Sequence, residues 1–413
     1  MTEPLDTSPS RPDLEPRPTF SSKTSGWGYY PDCEAGFDDN ISDEKAAAEE
    51  EAASKHGYLY LLVYNFSPVW FPVTMGTGIV PVILHNQFLQ FRGLDIIVLI
   101  LFGLNAFIFL VFTVILLLQY AIWPRKFKEM LYNPVHSLFI GALPMGLSTL
   151  INLSVYMIVP KAGKGFIMAL WVIWWIDAAM SAASIVLVSF LIMHKHPAEL
   201  QGVTAAWVLP IVPGIVSAAA GANVAGILQN DTRATTTILA CYVLIGLSFP
   251  TGFMVAVVYF SRLLFHKLPP RPAIPSTFLP LGLSAQTSLG FIELGKVSKT
   301  VFTRTGFLGG QATGDSWYAA GILTGLLLWA FAMVWFSWAI SSICLGRFPF
   351  SMGWWAFTFP IGVLATATIA LGNEFGSEFF KVFGSMLAFT VTLAWAIIFV
   401  KTLKAFVTGE FFR

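Results

Sequence analysis

Four uncharged donors, Thr77, Asn152, Asn223 and Gln286, stand inside long apolar runs, where hydroxyls and amides can handle a polar cargo without gripping it. Interhelical hydrogen bonding is the competing use of each. Gly76 and Gly78 flank Thr77 and leave room beside it. Lys296 and Lys299 lie near the end of another run and could draw anions to a mouth; Glu293, one turn earlier, could instead pair with Lys296, and both readings stay open. His136 could protonate and attract anions, or is simply solvated. Asp177 is a lone carboxylate in the middle of an apolar run, which is costly unless it is neutralised or partnered. It either carries a proton coupled to cargo movement or ties helices together as a neutral acid. Phe359, beside Pro360 in WWAFTFPIG, is an aromatic ring next to a broken backbone, the makings of a plug in a path. Catalysis has no such material: the histidines are scattered apart from His194 and His196, and no HExxH box occurs. Cys33, Cys241 and Cys344 form no CxxC pair, so neither a disulfide, a metal site nor a cofactor is expected.

These residues need a membrane to hold them. Of 413 residues 56% are hydrophobic and only 11% charged, with mean hydropathy +0.70, whereas soluble domains are about 25% charged. The chain reads as an all-α polytopic membrane protein embedded in the lipid bilayer, with no nucleic-acid partner. Residues 1–60 form a Pro/Ser-rich and then acidic tail, expected to be disordered and cytosolic, and residues 61–413 the membrane domain. Residues 1–57 hold thirteen acidic and five basic side chains, which leaves the remainder at net +9. That excess suits an anionic cargo, and it also fixes topology.

Turns rich in Gly, Pro and charge divide the domain into ten apolar segments, at about 66–88, 94–122, 133–159, 165–193, 203–228, 234–265, 275–298, 316–344, 349–371 and 377–407. With both termini in the cytosol, inner loops and helix ends carry eleven Lys/Arg against eight outside, as the positive-inside rule requires. The sequon at Asn230 then falls outside. Proline alternates: the odd segments carry Pro68, Pro72, Pro81, Pro144, Pro210, Pro213, Pro280 and Pro360, while among the even ones only the sixth has an interior proline, Pro250. Lipid cannot satisfy a carbonyl freed by proline, so the odd helices are expected to be kinked and to line a cavity. About ten residues into each odd segment comes a small, polar or broken patch, Phe359-Pro360 being the last, which is about half of a ~30 Å hydrocarbon core. The expected architecture is ten transmembrane helices as five helical hairpins around a central pore.

The blocks FSPVWFPVTMGTGIV, HSLFIGALPMGLSTLIN, LWVIWWIDAAMS, TAAWVLPIVPGIVSAAAG, HKLPPRPAIPSTFLPLG and WWAFTFP are spread over residues 66–407. Through them the chain resembles the tellurite-resistance/dicarboxylate transporter family, which includes plant slow anion channels, fungal malate permeases and fungal sulfite efflux pumps, and within it the sulfite efflux pumps most. The resemblance implies an inner ring of odd helices, a ninth-helix phenylalanine that occludes the pore, assembly as a homotrimer, and sulfite or bisulfite efflux across the plasma membrane. The alternative is a C4-dicarboxylate (malate) permease or a general anion channel, whose partner would be a small organic acid. Phe359 matches the occluding phenylalanine, with Phe357 as the reserve position two residues away. A small oxyanion must bind weakly and leave, which suits the uncharged donors above.

Overall fold

Helix dominates the computed structural model, which describes residues 58–196, 199–346 and 348–408 and contains no strand among them. Ten helices carry the architecture: α1 (Phe71–Asn86), α2 (Leu94–Ile122), α3 (Ala142–Met157), α4 (Lys164–Ala183), α5 (Pro213–Ile227), α6 (Asp231–His266), α7 (Leu279–Thr305), α8 (Gln311–Cys344), α9 (Trp355–Phe375) and α10 (Glu378–Val407). Three short helices accompany this set, Tyr58–Tyr64 before α1, Pro124–Tyr132 between α2 and α3, and Ser189–His194 after α4. Among the described residues, eight helical stretches are long and apolar enough to cross a membrane; α5, with 15 residues, and α7, which carries Glu293, Lys296 and Lys299, are outside that eight. Residues 1–57 of the expected tail lie outside the described residues.

The odd helices pack in a closed cycle, α1 on α3, α3 on α5, α5 on α7, α7 on α9 and α9 back on α1. Each even helix lies across two neighbours of that cycle: α2 on α1 and α3, α4 on α3 and α5, α6 on α5 and α7, α8 on α7 and α9, α10 on α9 and α1. Burial follows the same division. The apolar window of α9 is 94% buried and that of α2 only 11%, so apolar residues all round α9 meet protein while those of α2 face the surroundings. Close approach within the cycle rests on small residues. A Cβ added at Gly76 would collide with Thr358 and Trp355 of α9, and one at Gly78 with Thr149 and Asn105.

The prolines act differently from the sequence expectation. Pro72, Pro213 and Pro280 sit at the first two positions of α1, α5 and α7, and Pro144 in the first turn of α3. A helix's first N–H groups have no intrahelical partner, so proline there starts a helix without bending it. Of the odd-segment prolines, Pro81 and Pro360 lie inside α-helices. What the odd helices share is instead a 3₁₀ lead-in, at Pro68–Trp70, His136–Gly141, Ala205–Val208, Arg271–Phe278 and Met352–Trp354. These tight turns touch one another in series around one end of the cycle. The seventh segment also runs further than expected, to Thr305.

Candidate functional site

A cavity of about 100 Å³ lies inside the cycle, walled by all five odd helices. Each helix contributes one stripe at helical spacing: Ile79, Val82 and Asn86 from α1; Thr149, Asn152 and Tyr156 from α3; Val216, Ala219 and Asn223 from α5; Gln286, Leu289, Glu293 and Lys296 from α7; Phe359, Thr366, Ile369, Ala370 and Asn373 from α9. Steps of three and four residues keep each stripe on one face. The deepest members by helix position are Ile79, Thr149, Val216, Gln286 and Phe359, one from each helix. Hydroxyls and amides therefore alternate with apolar side chains along the wall, and the phenyl ring that α9 places in it is only 3% exposed.

The structure brings together five of the residues singled out from sequence: Phe359, Asn152, Asn223, Gln286 and Lys296. Asn223 Nδ2 donates to Asn152 Oδ1 and to Tyr156 Oη, each at 2.9 Å, so these amides bridge α3 and α5 while facing the cavity. Lys296 Nζ lies 3.3 Å from Glu374 Oε1 and 3.5 Å from Glu293 Oε1, and Tyr318 Oη donates to Glu374 Oε2 at 2.6 Å. Of the two uses of Lys296 foreseen in the sequence, the pairing with Glu293 is present, extended to Glu374, and the same side chain borders the cavity.

The other candidates are elsewhere. Thr77 is buried, and its hydroxyl accepts Trp395 Nε1–H at 3.2 Å. Gly76 and Gly78 serve the helix contacts already described. The Phe357 ring packs edge-on to Phe278 at 5.0 Å, away from the cavity. Lys299 pairs with Asp315 at 3.1 Å on the surface. His136 opens onto a separate recess with Tyr64, Gln119, Lys126 and Glu129. Asp177 is fully buried one layer behind the wall, where it accepts a 2.6 Å hydrogen bond from Ser148 Oγ, the neighbour of cavity-lining Thr149.

A family model described as SLAC1, voltage-dependent anion channel, matches residues 65–403. The chain belongs to this family. Among its relatives, a sulfite efflux pump SSU1 of Arthroderma benhamiae is 44% identical over 94% of this chain and 100% of the relative. That of Candida albicans is 27% identical over 79% of this chain and 71% of its own length. A malic acid transport protein of Schizosaccharomyces pombe is 25% identical over 84% of this chain and 80% of its own length. In this chain the sequence reading missed Asn86, Thr149, Tyr156, Thr366, Asn373 and Glu374. Counting by three and four from Asn152, Asn223 or Phe359 reaches all but Asn86 and Glu374, so a stripe search would have found most of them.

Proposed function

We propose that this chain exports sulfite or bisulfite across the plasma membrane through a central pore formed by ten spans in five hairpins, with both termini cytosolic. The observation that carries this reading is the cavity inside the odd-helix cycle, lined by uncharged donors, with Phe359 in its wall. Its one lysine is held by two carboxylates, so an anion meets hydroxyls, amides and a ring edge rather than a fixed cation, which favours release over retention. The 44% identity to a protein named a sulfite efflux pump supports the same substrate. The α5 and α7 helices are taken as spans because they complete the cycle, and α7, with 27 residues, extends about 40 Å. A cation freed from its carboxylates would suit malate better, and none faces the cavity among the described residues. Three subunits, each with its own pore, complete the proposal by resemblance to the family.

Reconstituted vesicles test the substrate: under a set pH gradient, sulfite flux should exceed that of malate, chloride and nitrate. Faster malate flux would move the chain to the dicarboxylate class, and no anion flux at all would end the reading. A reporter at the C-terminus that is glycosylated or cleaved from outside would overturn the topology. The mass of the solubilised complex tests the trimer.

A further inference from the structure

A second polar cavity, of about 290 Å³, lies at the opposite end of the bundle, between the turns that lead into α5 and α7 and the last turns of α6. Its polar lining comprises Gln201, Thr204, Tyr259, Arg262, His266 and Ser276, and none of its lining residues is acidic. Arg262 is only 6% exposed. Its Nη1 donates to the Lys267 carbonyl, and its Nε points at the Gln201 carbonyl 3.4 Å away. Among the described residues no carboxylate pairs with it and no acceptor meets its Nη2. A guanidinium has five N–H donors in a planar fork, so a buried one held by two carbonyls retains both charge and donors. The second observation is Tyr259, which lines the same cavity at 1% exposure and whose hydroxyl has no hydrogen-bond partner. An unmet buried hydroxyl and an uncompensated buried cation are each costly, and one ligand relieves both.

We infer that the cavity at Arg262 and Tyr259 is a binding site for a small oxyanion of the sulfate, sulfite or phosphate type, separate from the central path. The guanidinium fork would take two of its oxygens, and the Tyr259 hydroxyl a third. His266 and Thr204 border the same space.

The test is equilibrium dialysis of labelled sulfate against the purified full chain in phosphatidylcholine nanodiscs, in a chloride background of equal ionic strength. Saturable binding is expected, at least tenfold weaker in Arg262→Gln and at least threefold weaker in Tyr259→Phe, and retained when Asn152 and Asn223 of the central cavity are both changed to Ala. Because Arg262 also caps two carbonyls, Arg262→Gln risks the fold. Tyr259→Phe, which removes one oxygen, then decides, with an unchanged unfolding midpoint as its control. Unsaturable binding, or saturable binding that Tyr259→Phe leaves intact and the Asn152/Asn223 double variant abolishes, overturns the inference. Displacement of the label by sulfite assigns the site to the transported class of anion, whereas displacement by phosphate alone assigns it to phosphorylated solutes.

Discussion

The two cavities treat charge in opposite ways. At the central one, Lys296 is bracketed by Glu293 and Glu374, and the rest of the wall is hydroxyl, amide and hydrocarbon. At the other, Arg262 is buried with two carbonyls for company and no acid in the lining. Passage requires shallow binding at several points, which neutralised charge and uncharged donors supply. Retention requires one deep well, which an uncompensated guanidinium supplies. Net charge would not separate these uses, since both cavities contain a strongly basic side chain; what differs is whether that side chain has been paid for by a carboxylate.

The comparison breaks most readily at Phe359. If its ring closes the shallow path, Phe359→Ala should raise sulfite flux about tenfold, as a barrier lowered by about 1.4 kcal/mol does, and chloride should follow sulfite more closely. A folded Phe359→Ala with unchanged flux removes the gate. Next comes the charge balance at the mouth. Lys296→Gln leaves Glu293 and Glu374 without their counter-ion, so flux should fall about fivefold at low salt and recover at high salt through screening. Glu374→Gln should act in the opposite direction, and equal effects of the two variants would dissolve the distinction between the cavities. Asn223→Ala removes two donated hydrogen bonds within the wall. Interhelical bonds in membranes contribute about 0.6 kcal/mol each, so flux should change by about threefold for each bond lost.

Phe357→Ala should leave flux near the wild-type level while lowering thermal stability, by less than the about 3 to 5 kcal/mol of a fully buried ring because Phe357 is part-exposed. Free conduction by that variant would move the gate two residues upstream. The smallest effect on downhill flux is expected for Asp177→Asn, which keeps the shape of a buried group behind the wall. If Asp177 carries protons, the variant loses the dependence of flux on the pH gradient; retained dependence leaves a purely structural carboxylate.

Much of this was legible in the residues because burial in a membrane protein writes itself into small and special side chains. The odd segments differ from the even ones in proline and glycine, and the odd helices are the ones that form the closed cycle. Rotation about each helix axis was far less legible. Thr77 and Gln286 are similar polar interruptions in similar runs, yet Thr77 is turned toward Trp395 and Gln286 toward the cavity. Phe357 and Phe359 lie two residues apart, about 200° around a helix, and so one meets Phe278 and the other the path. Packing across the whole cycle sets those angles. Glu374 was missed for another reason, since its importance comes from Lys296 and Tyr318 on other helices. The proline reading failed on position: a proline in the first turn of a helix and one in its interior look alike until the helix start is known.

All five inner helices point the same way, which has an electrical consequence. Each aligned peptide ladder carries roughly half a positive charge at its N-terminal end and half a negative charge at its C-terminal end. The outer helices run the other way, but they stand one layer further from the axis, so on the axis the two sets do not cancel. An anion on that axis would be drawn toward the end ringed by the 3₁₀ turns and would climb a potential toward the end that holds Glu293 and Glu374. If the proposed pore conducts, that asymmetry makes it a rectifier: with equal anion on both sides and the voltage reversed, its currents should be unequal.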